Sequence, residues 1–573
     1  FPRMKETKLI VIGLDGATFD LIDPFIQAGE LPNLERLISG GVRAPLKSTT
    51  PSATFPAWTS FATGVNPGKH GILDFTRMKP NSYGIEFLNS SHRKYPALWE
   101  VLSKLGKRVC AVALPGTYPP EEVNGVMISG FDSPVATEID ASFVYPKELF
   151  YELNSKFGRF PFADFQELVI EEGWHDLAFE KLLSGLRRKR DIALHLFKKE
   201  KWDLFLILFG EADTVSHHFW CAFDEASPRF VPELASKHRE AIKKIYRELD
   251  NAIGELVDAA GEEYYVLLAS DHGFGGAGDK IFYMNRWLEK EGFLTFREAG
   301  GPFSANIDTL KKMGMRLIPP KVQEWLMRSP LKQLAANLEA RSRFGMIDWE
   351  KTKAFSEELN YAPSIRINPE AKRPKGIVKE GEYESLCAEI IQKLGDFKDP
   401  FTGEKIVKRV HRREELYSGP FVPEAPDLIL ELELDNGYSY SCLKISPSEN
   451  PPPLRKMERR EYIGAKGRSM NGSHRPEGIF ILKGEGVKSG SWLEEAEIID
   501  ITPTLYYLLN VEIFNDIDGS VLISAFEKEF RDRNRVKYAE TSGGFGFKVR
   551  ERPYTGKEAR EVEERLRALG YLE

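Results

Sequence analysis

Three apolar runs, each leading into chemically active residues, constrain this chain most. Lys8-Leu-Ile-Val-Ile-Gly-Leu leads into Asp15. Trp202-Asp-Leu-Phe-Leu-Ile-Leu-Phe209 leads into Gly210 and the stretch to His218. Tyr264-Tyr-Val-Leu-Leu-Ala-Ser leads into Asp271 and His272. Successive side chains of a strand point to opposite faces, so an unbroken apolar run needs cover on both sides. That is the situation of an inner strand in a parallel sheet. The runs are far too short to cross a bilayer, and no membrane span is expected. Helical patterns at Leu31–Ile38, Leu98–Leu105 and Val231–Ala260 alternate with these runs and with a strand pattern at Arg108–Leu114. The alternation predicts an α/β fold with a largely parallel central sheet.

In such sheets functional groups collect at the carboxyl ends of strands. Asp15 lies at one of those ends; in isolation it reads first as a turn or helix-capping aspartate. Asp213 and His217 stand four apart, so on a helix they share a face and suit a common metal ion. A capping aspartate and a surface histidine are the plainer alternative. His218 points about 100° away and is a weaker ligand candidate. Asp271 and His272 are adjacent at a third strand end, and this repetition is hard to attribute to capping. His474, in Met470-Asn-Gly-Ser-His, precedes another strand pattern and by itself reads as a loop histidine.

Pro51-Ser-Ala-Thr-Phe-Pro-Ala-Trp-Thr-Ser-Phe-Ala-Thr-Gly64 reads as a turn delivering Thr54 into a helix that stops at Gly64. A hydroxyl at a helix N-terminus sits beside free amides and the positive end of the helix dipole, a favourable place for a phosphate. Alone, Thr54 reads as an N-cap before it reads as a nucleophile; the metal-ligand candidates elsewhere in the chain shift that balance. Asn66-Pro-Gly-Lys-His-Gly71 reads as a turn-rich loop. Trp58, Lys69, His70, Arg286 and Arg475 could meet a substrate, and each reads equally well as structural.

The 573 residues imply more than one domain. We expect 1–280 to form the first part of a catalytic core, with 135–200 as a lid excursion. An inserted cap is expected over 281–400, the second part of the core over 401–525, and a C-terminal extension with a final helix over 526–573. Within this organisation helices are expected at Asn285–Glu291, Lys311–Leu338 and Glu382–Leu394. Strands are expected at Ala362–Ile367 and Asp427–Leu434. The net charge of -7 gives no reason to expect nucleic acid as a partner. Cys110, Cys221, Cys387 and Cys442 form no CxxC pair, which argues against a thiolate zinc site and for a reducing, cytoplasmic setting. The N-terminal residues lead straight into an apolar strand pattern without the layout of a signal peptide.

Taken in order, Gly13-Leu-Asp15-Gly, Thr54-Phe-Pro-Ala-Trp with Thr63-Gly, Asn66-Pro-Gly-Lys-His-Gly-Ile72, Asp213 with His217, Ser270-Asp-His-Gly and Gly472-Ser-His474 resemble the alkaline phosphatase superfamily. The closest branch is the type I phosphodiesterase/nucleotide pyrophosphatase family. The resemblance implies a three-layer α/β sandwich and a bimetallic hydrolase acting on a small-molecule phosphate diester or pyrophosphate. One ion would be held by Asp15, Asp271 and His272, the other by Asp213, His217 and His474. Thr54 would be the nucleophile, with its oxygen on the first ion. Three Asp and three His ligands fit zinc, and manganese is the alternative. A phosphomonoesterase, a phosphonate hydrolase or a phosphoglycerate-mutase-like phosphotransferase would use the same core; a non-catalytic binding protein is the remote alternative.

Two departures bear on the substrate. Ala57 stands where nucleotide phosphodiesterases of this family carry an asparagine, which weakens a nucleotide preference. Sulfatases have Cys or Ser at the nucleophile and an arginine four residues on; Thr54 and Trp58 replace them here. No counterpart of the phosphate-clamping arginine of alkaline phosphatases is evident, which favours diesters, since a diester has one fewer anionic oxygen to neutralise.

Overall fold

The computed structural model describes residues 7–134, 140–163, 173–297, 344–361, 363–445, 450–462, 470–541 and 552–569. The three apolar runs become Lys8–Leu14, Leu204–Phe209 and Tyr264–Ala269, side by side in the middle of a nine-stranded sheet. Its order is Ser491–Trp492, Val42–Lys47, Glu477–Lys483, Tyr264–Ala269, Lys8–Leu14, Leu204–Phe209, Val109–Leu114, Gly125–Ser129 and Val144–Tyr145. The five strands from Tyr264–Ala269 to Gly125–Ser129 are mutually parallel. Glu477–Lys483 runs antiparallel to both its neighbours.

The period-two pattern of the runs divides their side chains between two cores. Ile10, Ile12, Phe205 and Ile207 pack with Ile242, Ile245, Leu249 and Ile253 of the helix Ala241–Ala260 on one face. Leu9, Val11, Leu204 and Leu206 pack with Trp58, Phe61, Leu98 and Leu505 on the other. Helices therefore cover both faces, and the three-layer α/β sandwich expected from the sequence is the observed architecture. The register is tight: Val11 lies opposite Leu206 on one side and Leu267 on the other.

After Tyr264–Ala269 the chain leaves the central sheet. Gly273–Phe282 pairs with Tyr438–Cys442, Leu454–Lys456 and Gly472–Arg475 in a second sheet. Ala354–Phe355, Ser364–Ile367, Val407–Arg412 and Leu428–Leu432 form a third, antiparallel sheet. It shares a separate core with Trp287, Trp349, Leu386 and Ile390. The strand pattern near 427–434 thus joins this smaller sheet, and the chain re-enters the central sheet at Glu477. Helices expected at 285–291 and 382–394 appear as Met284–Lys290 and Glu380–Asp396. The helix expected at Lys311–Leu338 and the strand start at Ala362 lie outside the described residues. The Val231–Ala260 pattern is divided between Pro232–His238 and Ala241–Ala260.

Candidate active site

Three parallel neighbours deliver their following residues to one place. Asp15 follows Lys8–Leu14 directly, and Asp271 and His272 follow Tyr264–Ala269 after Ser270. Leu204–Phe209 passes through Gly210 into the helix Glu211–Phe223, which carries Asp213 in its first turn and His217 one turn later. His474 arrives from another part of the chain: Gly472–Arg475 pairs with Gly273–Phe282 and sets His474 opposite Phe274. All six side chains are buried or nearly so, and the structure brings all of them together with Thr54.

The imidazoles share one arrangement. His217 Nδ1 lies 2.9 Å from the Gly472 carbonyl, His272 Nδ1 3.0 Å from the Gly273 carbonyl, and His474 Nδ1 2.8 Å from the Ser52 carbonyl. A carbonyl only accepts, so each Nδ1 donates and each Nε2 presents a lone pair. Those lone pairs converge: His217 Nε2 and His474 Nε2 are 3.1 Å apart. Asp213 Oδ1 lies 3.2 Å from His217 Nε2, 3.4 Å from His474 Nε2 and 4.0 Å from His272 Nε2. His272 Nε2 lies 3.5 Å from Asp15 Oδ1 and 3.4 Å from Asp271 Oδ2. Asp15 Oδ1, Asp213 Oδ1 and Asp271 Oδ2 are buried and make no hydrogen bond of good geometry among the described residues. Burial, and then repulsion from Asp271 and Asp213, pushes the Asp15 carboxyl well above the usual carboxylate range. Burial and Asp213 do the same to Asp271. Burial, reinforced by His474, holds the His272 imidazole well below its ordinary value.

Lone pairs and orphaned carboxylate oxygens facing one another are what a cation resolves. Asp213, His217 and His474 present ligand atoms within 4.8 Å of one another, and so do Asp15, Asp213 and His272. The donor set fits a divalent metal ion. Asp213 belongs to both groups, whereas Asp271 adjoins the second through His272.

Thr54 is the first residue of the helix Thr54–Thr63, whose N-cap is Ala53 without a side-chain cap. The Thr54 hydroxyl therefore stands one residue past the cap position. It is fully buried, 3.3 Å from His272 Nε2. Gly64 ends the helix in the left-handed region, as its sequence position suggests. Trp58 is the one other flagged residue that touches the carboxylates: its Nε1 donates to Asp15 Oδ2 at 3.4 Å. Gly13 permits this, because a Cβ there would lie 2.6 Å from Leu208 Cδ1 and 2.8 Å from Trp58 Cη2.

The remaining flagged residues serve the frame. Asn66-Pro-Gly-Lys-His-Gly71 contains a short helix, Pro67–His70, because Asn66 caps it and Pro67 opens it. Lys69 pairs with Asp518 at 2.5 Å, and His70 is buried against Ser60. Arg286 pairs with Glu289, and Arg475 donates to the Gly276 and Gly437 carbonyls. His218 meets the Trp174 ring edge to face, 5.3 Å between centroids. Asp500 accepts from the Glu497 and Ser520 amides, a structural role.

Sequence reasoning missed two neighbours of the site. Lys189 is buried and pairs with Glu211 at 2.8 Å, and it lines a cavity together with Asp15 and Asp213. It sits in the run Arg187-Arg-Lys-Arg190, which looks like a solvated helix face. Tyr361 places its ring 6.3 Å from that of His474 and donates to Asp74 Oδ1 at 2.6 Å. No local pattern marks it.

The family model for type I phosphodiesterase/nucleotide pyrophosphatase matches residues 9–444. The chain belongs to this family, and so is a hydrolase of the alkaline phosphatase superfamily. The match includes Asp15, Thr54, Asp213, His217, Asp271 and His272 and ends before His474, which the pairing of Gly472–Arg475 with Gly273–Phe282 brings to the site. Phosphonoacetate hydrolase from Sinorhizobium meliloti 1021, solved with phosphonoformate, superposes with a TM-score of 0.49 at 16% identity, covering 88% of this chain and 96% of that one. Murine ectonucleotide pyrophosphatase/phosphodiesterase 5 gives 0.47 at 12% identity, covering 91% and 100%. The human counterpart gives 0.46 at 13%, covering 91% and 98%. No curated protein matches the sequence significantly. Among the described residues no helix is long and apolar enough to cross a membrane.

Proposed function

We propose that this protein hydrolyses phosphate diesters or pyrophosphates of small molecules, with Thr54 as nucleophile and two divalent cations, zinc or alternatively manganese, as cofactors. The observation that carries the reading is the convergence of three Nε2 lone pairs and three orphaned carboxylate oxygens beside a threonine at a helix N-terminus. Asp213, His217 and His474 would hold one ion, and Asp15, Asp271 and His272 the other, with Asp213 within reach of both. When bound, the ions would neutralise the carboxylates and the phosphate oxygens and favour the alkoxide form of the Thr54 hydroxyl.

The chain's own residues supply the rest. Thr54 Oγ1 gives its proton to solvent and attacks phosphorus; the bond to the departing alcohol or phosphate breaks as the threonine–phosphorus bond forms, and the departing oxygen takes a proton from solvent. Water then cleaves that bond and restores Thr54. The helix behind Thr54 directs its first amides and dipole toward the transferred group. The Ser52, Gly273 and Gly472 carbonyls keep the imidazoles from turning. We read the insertion expected over 281–400, whose described residues share a separate hydrophobic core with Leu428 and Leu430, as the cap that selects the substrate. Four buried free cysteines fit an intracellular setting.

The test compares a bis-aryl phosphate with an aryl monophosphate on the metal-loaded protein, with chelator and Thr54→Ala as controls. Diester turnover lost in both controls, with metal still bound to Thr54→Ala, is the expected result. Full activity of Thr54→Ala removes the nucleophile assignment, and preference for the monoester moves the protein to a phosphatase reading.

A further inference from the structure

The loop Phe131–Ser133 follows the parallel strand Gly125–Ser129 and forms one wall of the site: Phe131 lines the cavity it shares with Asp15, Lys189 and Asp213. The loop's inner side is tied to its own neighbourhood. Asp132 accepts the Gly116 and Tyr118 amides, each at 3.1 Å. Its three consecutive carbonyls are taken up by a segment more than four hundred residues away. Arg565 Nη1 donates to the Phe131 carbonyl at 3.0 Å and to the Ser133 carbonyl at 2.7 Å. The Tyr554 hydroxyl donates to the Asp132 carbonyl between them at 2.9 Å.

Arg565 is 2% exposed, so this cation has given up its hydration to reach two backbone oxygens. Its guanidinium also lies 4.5 Å from the Phe162 ring, on a second wall of the same cavity. The helix Gly556–Leu569 that carries it buries Val562 and Leu566 in a cluster with Phe55, Ile72 and Phe75. Phe55 immediately follows Thr54. Tyr118 completes the attachment, stacking on Tyr554 at 5.8 Å and donating to Glu558 at 3.0 Å.

We propose that residues 552–569 are a strap that positions the Phe131–Ser133 wall and the Thr54 turn for reaction, with Arg565 as its positioning residue. Arg565 acts through the loop, by way of the Phe131 and Ser133 carbonyls. The catalytic half of this inference rests on the site proposed above; the loop-ordering half does not.

The experiment uses the full-length, metal-loaded protein and two readouts. Hydrogen exchange follows the Gly130 and Ser133 amides, which donate to Thr117 Oγ1 and to the Gly130 carbonyl. Steady-state hydrolysis of a bis-aryl phosphate gives kcat and KM separately. In Arg565→Ala we expect both amides to exchange roughly tenfold faster while amides of Lys8–Leu14 are unchanged. We also expect kcat to fall roughly tenfold with KM within about threefold and two metal ions retained. Arg565→Lys, which keeps a cation near the carbonyls, recovers part of the rate. A folded Arg565→Ala with unchanged loop exchange overturns the strap, and a loosened loop with unchanged kcat overturns its positioning role. If Arg565→Ala does not fold, Tyr554→Phe removes only the Asp132 bond; no change in either readout then overturns the inference. If the wild-type protein does not turn over the diester, the proposed function falls, and loop exchange alone decides whether the strap orders this wall.

Discussion

His70 should make the protein acid-sensitive by an amount that its contacts allow to be worked out. Its ring is fully buried, its Nδ1 accepts the Ile72 amide at 3.1 Å, and its Nε2 lies 2.9 Å from Ser60 Oγ on the Thr54 helix. Because Nδ1 accepts, the folded state holds a neutral ring with its proton on Nε2. Burial, reinforced by Arg93, lowers the imidazole to about 3. An unfolded histidine titrates near 6.5, so above that pH neither state is charged and the full contribution of His70 is present. As pH falls below 6.5 the unfolded chain takes up a proton that the folded chain refuses, and stability is lost progressively toward the folded value. Between about pH 7 and pH 5 this linkage amounts to roughly 2 kcal/mol. The assay is denaturant unfolding of wild type and His70→Gln at both pH values, metal-free throughout. Other titrating groups cancel in the comparison, so wild type should lose roughly 2 kcal/mol more than the variant on acidification. Equal losses, within about 0.5 kcal/mol, would refute the assignment of a neutral, proton-refusing His70.

Gly472→Ala should weaken metal binding without touching a ligand. The new Cβ would lie 2.3 Å from Phe274 Cε1 and 2.5 Å from the Ser216 carbonyl, so the strand must shift and carry the Gly472 carbonyl away from His217. A loss of roughly 10–100-fold in zinc affinity by competition titration is expected, and unchanged affinity would sink the carbonyl-anchor account. Leu206→Ala, fully buried between two apolar neighbours in the sheet, should cost about 2–5 kcal/mol in denaturant unfolding; a cost under about 1 kcal/mol would contradict the tight core described for that face. Chelation should lower Tm and zinc should restore it, with about 4 kcal/mol of added stability at a thousandfold excess over Kd; a Tm indifferent to both would mean the cluster holds no ion.

The fold was legible where the sequence repeats a simple physical demand. An unbroken apolar run such as Leu204–Phe209 must be covered on both faces, and that alone places it inside a parallel sheet. The residues after such strands are then neighbours whatever their separation in sequence, which is why Asp15, Asp213 and Asp271 could be grouped from the chain alone. His474 was harder, because its position depends on an antiparallel pairing with Gly273–Phe282 that no local pattern announces. The family resemblance supplied it, and the pairing explains it. The anchors of the imidazoles are backbone carbonyls of Ser52, Gly273 and Gly472, which leave no trace in side-chain identity. Lys189 was hidden by its company: Arg187 and Arg188 are exposed and Arg190 half-buried, and only the fold shows that the lysine alone of the four is buried.

The same geometry explains why the frame around the site is so heavily bonded. Two unit charges 4 Å apart at an effective dielectric of 20 repel by about 4 kcal/mol, more than a typical hydrogen bond of about 1 kcal/mol offsets. Without cations, then, Asp15, Asp213 and Asp271 would splay unless something else fixed them. Each is fixed by the main chain: two at the ends of central strands, one in the first turn of a helix that begins where a strand stops. The acids are therefore held by elements whose stability comes from the apolar cores and not from the acids themselves. A centre built this way stays assembled when empty and gains stability when filled. On this argument, chelation should alter the midpoint of unfolding while leaving the secondary structure of the folded state intact.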